Sequence, residues 1–228
     1  MELQNQYVLE NLETETTWSA KVGPSYNPVS STKYWTTLFS DGIREFGHEA
    51  PALGGWLSGL NNLPIPANWT KGTIIHSAQM LFDGSIIDWT KGSRIACEFD
   101  NRVADGKGNN FNFSNQFNLS EDWMWQVDNQ TGKWTNVVKI TPLTPFTWHD
   151  ISFENEVDFE TLKLSFISLT TDDIQYKTSS AFYDLTPMKD LVGHSWSLGS
   201  NLQIQMCRQT AGVALLYARN IRVKFIPQ

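Results

Sequence analysis

The sequence predicts an all-β fold, an antiparallel two-sheet jelly-roll β-sandwich with long N-terminal loops, and three observations carry that expectation. Short apolar alternations recur along the chain, clusters of Gly, Asn and Asp separate them, and no segment repeats its apolar residues at helical spacing. Residues 111–153 show the pattern most clearly. Phe111, Phe113, Asn115 and Phe117 share one parity, while Asn112, Ser114, Gln116 and Asn118 share the other. A period of two sends these sets to opposite faces of a strand, one apolar and one rich in amides. Trp123, Trp125 and Val127 then alternate with Asp122, Met124 and Gln126, and the latter set is expected to continue the amide surface. Residues 128–132 carry turn chemistry. Strands are expected again over residues 133–138 and from Trp148 onward.

Taken in order, residues 1–35 are polar and read as an irregular arm with an edge strand around 6–9. Residues 36–71 contain Gly42, Gly47, Gly54, Gly55 and Gly59 together with Pro51, Pro64 and Pro66. That density predicts long loops with short turns of helix, pinned by Trp35, Phe39, Phe46, Trp56 and Trp69. Residues 1–71 are thus expected as an arm and loops packed on a sandwich of residues 72–228, in one structural domain. Within the sandwich, strands are expected over 73–82, 93–101, 161–170, 174–182, 201–208 and 214–225. Residues 184–193 read as a loop or short helix.

Composition narrows the function classes. The 228 residues carry a formal charge of −7 and a pI near 5.0, and no basic stripe of the kind nucleic acid or an anionic membrane requires. No apolar run approaches the roughly 20 residues that span a bilayer as a helix. Cys97 and Cys207 are far apart, and their strand parities point to different faces, so free thiols are expected. The first residues lack the basic and apolar regions of a signal peptide, which implies an intracellular protein or a mature secreted one. Ten Trp are present; most are expected in the core, and the rest are available for stacking on a ligand.

Several residues could carry chemistry. Glu98 and Asp100 share a strand face about 7 Å apart, a spacing at which paired carboxylates serve as acid and nucleophile in glycoside hydrolysis. Alternatively they belong to a solvated face on which Arg94 balances their charge. His149 could act as a general base, although its parity with Ile151 and Phe153 suits an inward structural role, and His76 reads the same way. Gln203 and Gln205 share one face of the penultimate strand, as Gln116 and Asn118 do in an earlier one. Rows of amides satisfy sugar hydroxyls, and Trp56, Trp196 and Tyr217 are candidate stacking platforms. No nucleophile elbow, zinc-protease helix, phosphate loop or dinucleotide fingerprint occurs.

The segments SRIACEFDN, NFNFSNQFNL, WHDISF, LQIQM and LLYARNIRVKFI follow one another in an order that resembles the concanavalin A-like lectin/glucanase superfamily. The resemblance covers about two thirds of the chain, residues 72–228. It implies two curved antiparallel sheets with a ligand groove on the concave face, in a superfamily of lectins, carbohydrate-binding modules, glycoside hydrolases and polysaccharide lyases. It also implies a structural Ca²⁺, with Asp83 or Asp184 as candidate ligands. Departures are visible. Glu98-Phe99-Asp100-Asn101-Arg102 begins the hydrolase carboxylate pattern without completing it, and Arg94-Ile95-Ala96-Cys97-Glu98 stretches the lyase one. Asp172-Asp173 is too short for the lectin calcium loop.

The leading expectation is therefore a lectin-like domain with a glycan or other small-molecule ligand. A hydrolase or lyase of the same fold, using Glu98 and Asp100 with His149 or Tyr217, is the first alternative. An intracellular cyclase or isomerase, folding an apolar metabolite among aromatic rings, is the other.

Overall fold

The computed structural model describes residues 6–14, 18–21, 33–49, 52–59, 69–83, 94–104, 110–118, 123–128, 133–177, 182–186, 197–208 and 213–228. Its elements begin with β1 (Tyr7–Leu9), a 3-10 turn (Leu12–Thr14), β2 (Ser19–Lys21), β3 (Lys33–Leu38), β4 (Arg44–Glu49) and β5 (Ala52–Gly59). There follow β6 (Lys71–Phe82), β7 (Arg94–Ala104), β8 (Asn110–Asn118), β9 (Trp123–Asp128) and β10 (Lys133–Lys139). The last are β11 (His149–Asp158), β12 (Lys163–Thr171), β13 (Ile174–Tyr176), β14 (Phe182–Asp184), β15 (Ser197–Arg208) and β16 (Val213–Pro227). No helix among the described residues is long and apolar enough to cross a membrane.

The strands form two antiparallel sheets, as the alternations predict. The first has nine strands in the order β13-β12-β11-β6-β16-β4-β3, with β1 added on β16 and β14 on β12. The second has seven, in the order β10-β9-β8-β7-β15-β5-β2. Strict alternation makes the first sheet one-sided. Ile74, Met80 and Phe82 of β6, Phe153 of β11 and Phe225 of β16 are buried to 1% exposure or less, while Ile75, Ser77, Gln79 and Leu81, of the opposite parity in β6, are more exposed. Trp69 closes this core, edge-on to both Phe159 and Phe225.

In the second sheet, register sorts the faces. Ile95 pairs with Met206, Cys97 with Ile204 and Phe117, and Phe99 with Leu202. Which way this apolar set faces is decided at β10. Val138, opposite Met124, packs against the core, whereas Lys139, opposite Trp123, is exposed. Met124 pairs with Phe117, so the apolar set faces inward and the amide-rich set outward. Cys97 lies on the inward face and Cys207, opposite Arg94, on the outward one.

Residues 36–71 differ from expectation. Their described members supply the end of β3, then β4, β5 and the start of β6, where loops were expected; residues 50, 51 and 60–68 lie outside the described residues. Phe46 of β4 pairs with Leu216 in the first sheet, and Trp56 of β5 pairs with Ile204 in the second. The glycines that suggested loops have another use. Gly47 lies directly opposite Trp35, and a Cβ there would fall 2.2 Å from the indole. The missing side chain lets the ring lie on the strand, while its Nε1 donates to Glu45 at 2.8 Å. Glycine within a strand is one mark of such close approach. The expected strand over 174–182 is likewise split, with β13 pairing one end of β12 and β14 the other. Residues 184–193 begin in β14, and from 187 onward they lie outside the described residues.

Gly72 offers a direct test of this packing. A Cβ there would meet the ring of fully buried Phe225 at 2.3 Å. Gly72→Ala is expected to destabilise the protein by about 1–3 kcal/mol through overpacking, read as a lowered urea midpoint with an unchanged m-value.

Candidate functional site

The candidate residues of β7, β8 and β15 converge on the outward face of the second sheet. Glu98 pairs with Gln203 on one side and Gln116 on the other. Asp100 pairs with Asn201 and Ser114, and Ala96 with Gln205 and Asn118. Arg94 pairs with Cys207 on the next rung. Residues directly opposite in an antiparallel pair share a face, with Cβ atoms roughly 5 Å apart. Each carboxylate position is thus bracketed by positions that bear amides or hydroxyls.

Toward β9 and β10 the face continues in a way the alternation alone does not predict. Gln116 pairs with Trp125, and Trp125 with Asn136; Ser114 pairs with Val127, and Val127 with Trp134. Gln126 and Met124 pair instead with Asn115 and Phe117 on the inward face. The amide rows therefore run into three indole positions, Trp123, Trp125 and Trp134, and not into Met124 and Gln126. The connection between β8 and β9 sets this parity, and a one-residue change in register exchanges the faces of a whole strand. The sequence held the signal only as tryptophans at strand spacing, without their side of the sheet.

The other proposed platforms lie elsewhere. Trp56 pairs with Ile204 on the inward face, Trp196 lies outside the described residues, and Tyr217 belongs to the first sheet. On the side of β5, Gly55 and Gly59 sit opposite Gln205 and Asn201, with Leu57 between them opposite Gln203. The ionisable residues that the described strands place on this face are Lys21, Arg94, Arg102, Lys139, Glu98 and Asp100. Among the described strands that is four cationic positions against two carboxylates.

No protein-family model matches the chain, and no curated protein matches it in sequence. Solved structures do match in shape. The winged bean acidic lectin, complexed with methyl-α-D-galactose, superposes with a TM-score of 0.56 at 9% identity, covering 98% of this chain and 100% of the lectin. Lectin I of Ulex europaeus, with the methyl glycoside of α-L-fucose, gives 0.52 at 8% identity over 97% and 98% of the two chains. A mutant of the alginate lyase Aly36B, in complex with alginate trisaccharide, gives 0.50 at 10% identity over 93% and 98%. The fold is the concanavalin A-like jelly roll. Identities this low establish the architecture and nothing finer.

In this concanavalin A-like sandwich the remaining candidates occupy the first sheet, away from the amide rows. His149 opens β11 and is 6% exposed. Its Nδ1 lies 2.8 Å from Asp172 Oδ2 and its Nε2 2.8 Å from the Thr144 carbonyl, so both ring nitrogens are occupied by the protein. Tyr217 is half-buried in β16, and its hydroxyl is pushed up first by burial and then by its hydrogen bond to Glu45. His76 pairs with Phe153 and Val223 in the core, where burial lowers its imidazole to about 3. His48 pairs with Tyr34 and Ala214 near the sheet edge, and His194 lies outside the described residues.

No group of three or more His, Cys, Asp or Glu able to hold a metal occurs among the described residues. Of the two calcium-ligand candidates, Asp83 donates its N–H to the Leu215 carbonyl at 3.0 Å. The Asp184 carboxylate turns back on Thr186 N at 2.8 Å, and Thr186 holds it below the usual carboxylate range.

Proposed function

We propose that this chain binds glycans on the outward face of its second sheet. The observation that carries the reading is one rung: Gln203, Glu98, Gln116, Trp125 and Asn136 stand side by side across five strands. Amides and a carboxylate can accept from and donate to the same sugar ring, and an indole two strands from Glu98 can take the ring's C–H face. The lectin complexes that share the fold are consistent with this use. The surplus of cations on the face further supports acidic sugars over neutral ones.

The test is a glycan array followed by calorimetry, with uronate-containing and neutral oligosaccharides compared. Trp125→Ala is expected to weaken binding about tenfold, the equivalent of about 1.4 kcal/mol, and Gln116→Ala to weaken it as well. Affinity for an acidic glycan should fall as salt is raised. Binding that neither substitution alters would place the site elsewhere.

A glycan-active enzyme is the second reading. It is favoured by the adjacent positions of Glu98 and Asp100 on this face and by the shared fold of an alginate lyase. Glu98→Gln distinguishes the two. Loss of product formation with retained binding supports catalysis, while an absence of product from the unaltered protein leaves the binding role.

A further inference from the structure

The outer face of the first sheet carries a polar depression whose floor and walls are set by register. Arg222, Ser77, Ser152, Thr170 and Gln175 lie on one rung across β16, β6, β11, β12 and β13. The three central side chains are short, so the surface dips there. On the neighbouring rung Arg219, Gln79 and Asp150 stand taller. Asp172 adds to the lining from beyond β12, and Glu10 and Asn11 from the N-terminal segment, to give a cleft of about 500 Å³. That volume lies in the range of small-molecule sites.

A bulge builds one wall. The regular pairing of β16 with β6 is interrupted between Arg219 and Arg222, and Asn220 takes a φ of 54°. Arg219 Nε and Asn220 Nδ2 then both donate to Gln79 Oε1, at 2.8 and 2.9 Å. Arg222 Nε donates to Ser77 Oγ at 2.8 Å. The N–H of Ile221, inside the bulge, is taken up by the buried Glu13 carboxylate at 2.8 Å. Gln79 Nε2 donates onward to Asp150 Oδ1 at 2.8 Å, and Asp150 N donates to Asp172 Oδ1 at 3.0 Å. Asp172 in turn meets His149, which is anchored on the Thr144 carbonyl. Bulges redirect side chains and recur beside functional sites, and a connected network of this kind orders its polar groups before any ligand arrives.

We propose that this cleft is a second glycan-binding site, and that it takes neutral sugars in preference to acidic ones. Asp150, Asp172 and Glu10 provide acceptors for adjacent sugar hydroxyls, and Arg222, Ser152 and Thr170 provide donors. Its lining holds three carboxylates and one guanidinium, with Arg219 beside it on Gln79 and over the Trp148 ring, a balance that still disfavours uronates and sulfates. The apolar lining residues Ala78 and Ile151 are both buried, so an apolar peptide anchor finds no exposed pocket. The charge preference is opposite to that of the second sheet, and the two sites stand or fall independently.

The experiment titrates the full chain with cellohexaose, maltohexaose and mannohexaose, and with an alginate hexamer as the acidic probe, following backbone amide signals by NMR. Ser152→Trp fills the floor, Asp150→Ala removes a wall, and Trp125→Ala leaves this face intact. At least one neutral probe is expected to shift the signals of Ser77, Ser152 and Asn220. Each cleft substitution should weaken that binding about tenfold or more, with Trp125→Ala without effect on it. Thermal melts establish that the variants are folded; should Ser152→Trp fail, exposed Asp150 provides the deciding variant. The proposal is overturned if no neutral probe moves these signals at millimolar concentration, or if the folded cleft variants bind unchanged. Tighter binding of the alginate hexamer as read from these same three signals, or shifts that follow protein concentration alone and so mark self-association, would overturn it equally.

Discussion

Glu13→Ala is expected to destabilise the protein by about 1–3 kcal/mol, the cost of leaving a buried donor without its acceptor. Glu13 is only 4% exposed, although it sits in a 3-10 turn near the N-terminus. Its carboxylate accepts the N–H of Ile221, which the β16 bulge withdraws from the ladder. The same turn faces Arg44, itself 7% exposed, whose Nε donates to the Glu13 carbonyl and whose Nη1 donates to Thr36 Oγ1 at 3.1 Å. Burial lowers the guanidinium's proton affinity, and the charge of Glu13 works against that. Alanine removes the counter-charge and the acceptor together. Glu13→Gln retains an acceptor for Ile221 and should lose less. Urea unfolding of the three proteins is the measurement. A Glu13→Ala loss below about 0.5 kcal/mol, the level of an ordinary surface change, would mean that the turn is not an anchor.

The second large effect is a loss of stability on mild acidification. His76 is fully buried, and burial alone lowers its imidazole from 6.5 to about 3. Between those two values the unfolded chain binds a proton that the native state refuses. The stabilisation is therefore complete above pH 6.5 and declines as the pH falls toward 3, with a limiting slope of about 1.4 kcal/mol per pH unit. Asp158 adds to the loss at the acidic end. Burial pushes its carboxyl up, but hydrogen bonds from Thr161, Lys71 and Glu160 outweigh this and hold it below 3.8. Unfolding free energies from pH 7.5 to 4.5 should show the slope in the native sequence and a much flatter profile in His76→Leu. Parallel profiles would remove His76 as the cause.

Alternation made much of this fold legible. Local period-two patterns at residues 73–82, 111–118, 201–208 and 214–225 correspond to β6, β8, β15 and β16 with little displacement of their ends. They succeed because a strand buried on one face needs apolar residues at every second position, whatever its neighbours are. Residues 36–71 defeated the same reasoning. Gly47 is a strand residue because Trp35, twelve positions away, covers it, and no local window contains that fact.

The candidate site divides along the same line. From the residues alone came the jelly-roll class, the outward amide rows of β8 and β15, and the common parity of Glu98 and Asp100, because face membership within one strand is a local property. Tertiary structure alone decided which rows stand beside one another. It set Glu98 between Gln203 and Gln116, carried that rung to Trp125 while sending Trp56 inward, and placed His149 and Tyr217 in a different sheet. It also brought Glu13 to Ile221 and Gln79 to Asp150. These are choices of register and pairing between distant segments, fixed by turn length and by the burial of whole faces, and a strand's own alternation is identical under every one of them.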